Sequence, residues 1–90
     1  MTLDNARVWL TGANSGIGEA LAIRLAGAGC HLALSARRPA ELASVVARCR
    51  RPDRRVLAFP LDVNDRHAVH EVGRQIEGEL GAVDLAIFNA

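Results

Sequence analysis

Four short apolar runs alternate along this chain with three longer stretches in which apolar residues return every three or four positions. The runs are Arg7-Val8-Trp9-Leu10-Thr11, Cys30 to Ala36, Arg55 to Val63 and Val83 to Asn89. Their near-continuous apolar character fits strands buried on both faces. Between them, Ile17, Leu21, Leu25 and Ala28 form one helical stripe, Leu42, Val45, Val46 and Cys49 a second, and Val69, Val72, Ile76 and Leu80 a third. The order β-α-β-α-β-α-β, with helices of crossover length, predicts a parallel sheet in an α/β, doubly wound Rossmann-like layout. Right-handed crossovers give the strand order 3-2-1-4, and ligands of such sheets bind beyond the carboxyl ends of the strands, near the reversal of order.

The punctuation agrees with this reading. Gly27 and Gly29 end the first helix, with Gly29 suited to the left-handed position after it. Pro39 is placed at the first position of the second helix and Glu41 in its first turn; Pro52-Asp53 marks the stop. Pro60 belongs at the carboxyl end of the third strand or where that strand is unpaired. Asn64 or Asp65 caps the third helix, and Gly81 ends it.

The candidate chemistry lies at the first strand's exit, Thr11-Gly12-Ala13-Asn14-Ser15-Gly16-Ile17-Gly18. Three glycines spaced Gly-x-x-x-Gly-x-Gly allow a tight turn, close approach of a ligand, and close packing of the new helix on the sheet. The first N–H groups of that helix lack intrahelical acceptors and sit at the positive end of its dipole, which suits a pyrophosphate. No Gly-Lys-Ser/Thr follows, so this is not a P-loop.

Cofactor selection is legible at the end of the second strand. In dinucleotide folds an acidic residue about 20 residues past the glycine turn bonds the ribose 2′-hydroxyl of NAD, whereas an arginine there accommodates the 2′-phosphate of NADP. This chain has Ala36 and then Arg37-Arg38. Cationic side chains at a helix amino end are unfavourable unless an anion joins them. NADP(H) is therefore expected over NAD(H), with Arg37 and Arg38 on the phosphate and Ser35, Asn14 or Ser15 as supporting donors.

Composition narrows the partners. Ninety residues, half of them apolar, with a formal charge of +1 describe at most one small globular domain with no general attraction to nucleic acid or membrane. All eleven basic residues are arginine, and lysine and tyrosine are absent. Arg48, Arg50 and Arg51 crowd the end of the second helix, where basic residues favour the dipole without any nucleic-acid role. Met1 to Arg7 carries no long apolar stretch, so neither a signal peptide nor a membrane span is expected, and a cytoplasmic location follows as the default. Cys30 and Cys49 have no metal-ligand spacing and read as small buried hydrophobes, with a disulfide as the minority alternative. His31, at a strand start, reads as a partly exposed structural residue, not a catalytic base.

These features together resemble the amino-terminal portion of the short-chain dehydrogenase/reductase family, from about Arg7 to Ala90. Thr11 to Gly18 matches that family's Thr-Gly-x-x-x-Gly-x-Gly turn. Leu61-Asp62-Val63 resembles its adenine-pocket segment, Asp84 stands where it often carries an aspartate before the fourth strand, and Asn89-Ala90 resembles the start of its Asn-Ala-Gly motif. The resemblance implies cofactor binding by Gly12, Asn14, Ser15, Gly16, Ile17 and Gly18. It implies that Asp62 accepts a hydrogen bond from the adenine amino group, that the backbone of Val63 contacts the ring, and that Asn89 and Ala90 support the sheet and the ribose. Phe88 departs from the family pattern, which commonly has asparagine there.

The family's catalytic serine, Tyr-x-x-x-Lys pair and further asparagine lie beyond the fourth strand. No catalytic or metal-binding residue is therefore expected within residues 1–90, read as a single partial NAD(P)-binding Rossmann domain cut after strand four. The implied whole is an NADP(H)-dependent oxidoreductase acting on a carbonyl or alcohol of a small molecule, with a homo-oligomer possible in a complete protein. A truncated, non-catalytic nucleotide-binding or interaction module is the alternative. A methyltransferase on a similar sheet is disfavoured because a methyl donor has no pyrophosphate for this turn.

Overall fold

The computed structural model describes residues 2–89. In chain order they form β1 (Arg7–Thr11), α1 (Gly16–Gly27), β2 (His31–Ser35), α2 (Pro39–Cys49), β3 (Val56–Ala58), α3 (Arg66–Glu79) and β4 (Leu85–Phe88). The strands make one sheet in the order β3-β2-β1-β4, and every pairing is parallel. This is the doubly wound Rossmann-like order expected from the pattern.

Alternation along β1 and β2 divides the core in two. Val8, Leu10, Leu32 and Leu34 point to the face covered by α1 and α2, where they meet Ala22, Leu25, Leu42, Val45 and Val46. Trp9 and Ala33 point to the opposite face, where α3 supplies Val72 and Ile76. The period of two along a strand requires this division, and among the described residues only α3 covers the second face. There the Trp9 indole donates Nε1–H to the Ser35 hydroxyl at 3.0 Å, so the buried polar edge of the ring is satisfied.

The buried face of α1 differs from the expected stripe. Ile17 is 77% exposed and Ala28 is exposed, whereas Gly18, Ala22, Leu25 and Ala26 face the sheet. Small residues lie inward because α1 sits too close to the strands for a bulky side chain. A Cβ on Gly18 would overlap the Gly12 carbonyl. The α2 stripe is as expected, with Leu42, Val45, Val46 and Cys49 buried; in the α3 stripe Val72, Ile76 and Leu80 are buried and Val69 is half-buried against them.

Strand ends are shorter than the apolar runs. The third run pairs as β3 only over Val56–Ala58, yet Phe59 and Leu61 still donate their N–H groups to the Leu34 and Ala36 carbonyls at 2.9 Å. Pro60 between them falls at the position whose N–H would point away from β2, toward the open edge of the sheet, so its missing donor costs the pairing nothing. At the other side of the sheet, the Arg7 N–H donates to the Asp84 carboxylate and the Asp84 N–H to the Arg7 carbonyl, both at 2.8 Å. Asp84 therefore sets where β4 begins against β1.

The arginines at the end of α2 serve a different helix from the one expected. Arg51 donates to the Ala26 carbonyl at 3.1 Å, in the last turn of α1, and Arg48 pairs with Glu19 of α1. Arg54 reaches the Gly29 carbonyl at 2.7 Å. Arg51 and Arg54 thus meet the carbonyls at the negative end of the neighbouring helix, whereas Arg48 pairs with a carboxylate in the first turn of α1. His31 is half-buried as expected, with Nδ1 accepting the Arg55 N–H at 3.0 Å. Cys30 and Cys49 are free and buried.

Candidate functional site

All helices start at the same edge of the sheet, and there the carboxyl ends of the strands open into a cleft of about 480 Å³. Gly12, Asn14, Ala36, Arg37, Arg38, Leu61, Asp62, Val63, Asn64 and Asn89 line it. The structure thus brings together residues from the exits of all four strands, which the sequence separates by as many as 77 positions.

The turn after β1 is built by three contacts. Gly12 adopts φ +68°, a left-handed value, and a Cβ on it would overlap the Asn89 carbonyl. Ser15 caps α1: its hydroxyl accepts the Gly18 N–H at 3.1 Å and donates to the Gly12 carbonyl at 2.9 Å. Asn89 then donates Nδ2–H to the Ser15 hydroxyl at 3.0 Å. These bonds use up Ser15, but the backbone N–H groups of Asn14, Gly16 and Ile17 find no acceptor among the described residues. A Cβ on Gly16 would meet nothing within 4 Å, so there is open space beside the start of α1. Unpaired N–H groups at a helix amino end with free room beside them form an anion cradle.

At the end of β2 the backbone turns into α2 with Arg38 as N-cap residue and no side-chain cap bond. Arg38 pairs with Glu41 at 3.0 Å, whereas Arg37 is exposed and has no ion pair or hydrogen bond among the described residues. Ser35, expected as a supporting donor, is fully buried on the α3 face and bonded to Trp9, so it does not reach the cleft. Strand alternation is the reason: Ser35 shares parity with Ala33, not with Leu34.

On the far wall, one Asp62 oxygen accepts the Asn64 N–H at 2.9 Å, which shapes the turn into α3, and Asp65 is the helix cap, accepting the Ala68 N–H at 3.1 Å. Val63 is exposed in the cleft wall. Ile17 stands exposed on the first turn of α1, outside the lining. Ala90 lies outside the described residues. Sequence reasoning missed Glu41 as a partner of Asn14, whose Nδ2–H it accepts at 3.0 Å across the α1–α2 gap. A pair separated by 27 positions leaves no local signal.

The site defines a class first: a parallel α/β sheet with a glycine-rich turn at its reversal of strand order. The family model described as short chain dehydrogenase matches residues 6–90. The chain belongs to the short-chain dehydrogenase/reductase family, whose fold binds nicotinamide dinucleotides. It is 40% identical over 79 residues to 2,3-dihydro-2,3-dihydroxybenzoate dehydrogenase of Bacillus subtilis, covering 88% of this chain and 30% of that protein. It is also 40% identical over 86 residues to dehydrogenase/reductase SDR family member 7 of Homo sapiens, covering 91% of this chain and 25% of that one.

Among solved structures, L-sorbose reductase from Gluconobacter frateurii, complexed with NADPH and L-sorbose, superposes with a TM-score of 0.91 at 30% identity, covering 100% of this chain and 35% of that chain. YwfH, an NADPH-dependent reductase of bacilysin biosynthesis, superposes with a TM-score of 0.90 at 27% identity, covering 97% and 38%. The chain thus spans about a third or less of the length of the curated relatives described, corresponding to the amino-terminal portion of such oxidoreductases. No helix of the described residues is long and apolar enough to cross a membrane.

Proposed function

We propose that these residues form the cofactor-binding portion, a single partial Rossmann domain, of a cytoplasmic oxidoreductase that moves hydride between NADP(H) and a carbonyl or alcohol of a small molecule. The cofactor, when bound, supplies or accepts the hydride. The residues present fit it: the free N–H groups of Asn14, Gly16 and Ile17 lie beside open space at the start of α1 that would take a pyrophosphate. Asp62 has a carboxylate oxygen not used by its turn to accept from the adenine amino group, beside Val63. Asn89 fixes the floor of the turn.

The observation that carries NADP(H) over NAD(H) is Arg37, exposed in the cleft lining and without an anionic partner among the described residues. A guanidinium offers a forked pair of donors to a phosphate, and a charged hydrogen bond contributes about 1.5–3 kcal/mol. NADP(H) should accordingly bind roughly ten- to a hundredfold more tightly than NAD(H). Dissociation constants for both cofactors, measured before and after Arg37→Asp, test this. The preference should vanish or reverse in the variant; equal constants in the unmodified protein, or an unchanged ratio, would rule Arg37 out as the selector.

A further inference from the structure

Glu41 divides its two carboxylate oxygens between two residues of the cleft wall. Oε2 accepts from the Arg38 guanidinium and Oε1 from the Asn14 side-chain amide, each at 3.0 Å. Arg38 and Asn14 line the cleft, and Glu41 stands just behind them in the first turn of α2. One carboxylate therefore ties the amino end of α2 to the glycine turn after β1. It neutralises Arg38 and leaves the neighbouring Arg37 unpaired among the described residues.

A carboxylate held between a guanidinium and an amide, at a helix amino end, takes the donors that an incoming phosphate would itself seek. The bonds from Arg38 and Asn14 hold the Glu41 carboxyl below its ordinary range, so it is charged at neutral pH. Its negative charge also opposes a second anion arriving beside it.

We propose that Glu41 is a resident counter-anion of the cleft that competes with the cofactor's 2′-phosphate for Arg38 and Asn14, and so limits how strongly the site favours NADP(H). The proposal rests on the dinucleotide reading above. Arg37 remains the cation that discriminates, and Glu41 acts through its two partners as a positioning residue. Because the pair is exposed, its exchange for a phosphate is an easy one, and removing the carboxylate charge should matter by a modest factor.

The test is calorimetric titration of NADP⁺ and NAD⁺ into the full chain, unmodified and with Glu41→Gln, Arg38→Ala, and both together. Glu41→Gln should tighten NADP⁺ by about three- to tenfold and leave NAD⁺ within about twofold, because only one of them carries the extra phosphate. In the Arg38→Ala background the gain should shrink, since the contested donor is gone. Glu41→Ala gives the same reading should the glutamine variant fold poorly. An unchanged or weaker NADP⁺ affinity, or an equal shift for both cofactors, would overturn the proposal. If NADP⁺ binds preferentially but Glu41→Gln changes nothing, only this proposal fails; if neither cofactor binds the unmodified protein, the dinucleotide reading falls and takes it along.

Discussion

Asn89 donates its side-chain amide to the Ser15 hydroxyl at 3.0 Å, joining the end of β4 to the cap of α1 across 74 positions of sequence. Ser15 in turn holds the Gly18 N–H and the Gly12 carbonyl, so three parts of the turn depend on one hydroxyl. The site's floor is thereby a closed network in which every member is bonded to another, and such networks are lost together.

Ser15→Ala should lower stability by about 1 kcal/mol through loss of the cap, with a melting point lower by roughly 4–8 °C for a domain of this size. Asn89→Ala should also destabilise, and the double variant should cost less than the two single losses added, because they break one network. Denaturant unfolding of the three variants gives the coupling. Strict additivity would show that the Asn89–Ser15 bond contributes nothing of its own.

The glycines of the turn should separate folding from binding. Gly18→Ala places a Cβ on the Gly12 carbonyl and should destabilise by several kcal/mol, of the size of other severe steric lesions. Gly16→Ala meets no atom of the protein, so its melting point should be kept or slightly raised. Its methyl group nevertheless enters the open space beside the start of α1, and cofactor affinity should fall at least about tenfold, the loss of roughly one charge-assisted bond. Unimpaired binding by a folded Gly16→Ala variant would remove the pyrophosphate from this position.

His31 should make stability depend on pH just below neutrality. Burial first, and then the charges of Arg54, Arg7 and Arg55, lower its pKa below the ordinary 6.5, with an opposing pull from Asp53. Its Nδ1 must also be unprotonated to accept the Arg55 N–H. Between the lowered native value and 6.5 the unfolded chain binds more protons than the native one, so stability rises with pH through that window and levels off above it. Thermal midpoints measured across the window should show this rise, and His31→Gln should flatten it. An identical profile in the variant would assign the pH dependence to other groups.

The two thiols should be inert in the folded chain. Burial raises the pKa of Cys49, and burial together with Asp4 raises that of Cys30, whose Sγ–H donates to the Leu3 carbonyl at 3.4 Å. Thiolate is the reactive form, so alkylation at pH 8 should be slow until denaturant opens the core. Mass spectrometry after a short iodoacetamide pulse reads this directly; rapid labelling of Cys49 without denaturant would mean that α2 separates easily from β3.

A chain limited to these ninety residues should associate. β4 pairs with β1 on one side only, and on its exposed face Phe88 is 55% accessible although it packs edge-on against Trp9 at 5.3 Å. An open apolar strand edge invites a second strand. Sedimentation velocity over a range of concentrations should show growth of species beyond the monomer. A single monomeric boundary at all concentrations would show that the edge is protected.

The class of fold, the strand order and the place of the site were legible along the chain because each depends on short-range pattern. Apolar runs, helical stripes and the stops at Gly29, Pro52 and Gly81 follow from local backbone preferences, and right-handed crossovers leave few arrangements open. The glycine spacing from Gly12 to Gly18 and the pair Arg37-Arg38 likewise carry their chemistry in adjacent positions.

Tertiary structure alone decided how those residues are shared. The inward face of α1 turned from Ile17 to Gly18 because the distance between helix and sheet, and not hydrophobicity, selects what fits there. Ser35 left the cleft because strand parity gave it to Trp9, and Arg48 and Arg51 went to α1 because α2 packs beside it. Glu41 reads locally as a charge at the helix amino end. Its bond to Asn14 exists only once the glycine turn and α2 meet, and contacts between distant segments are set by packing that no local pattern encodes.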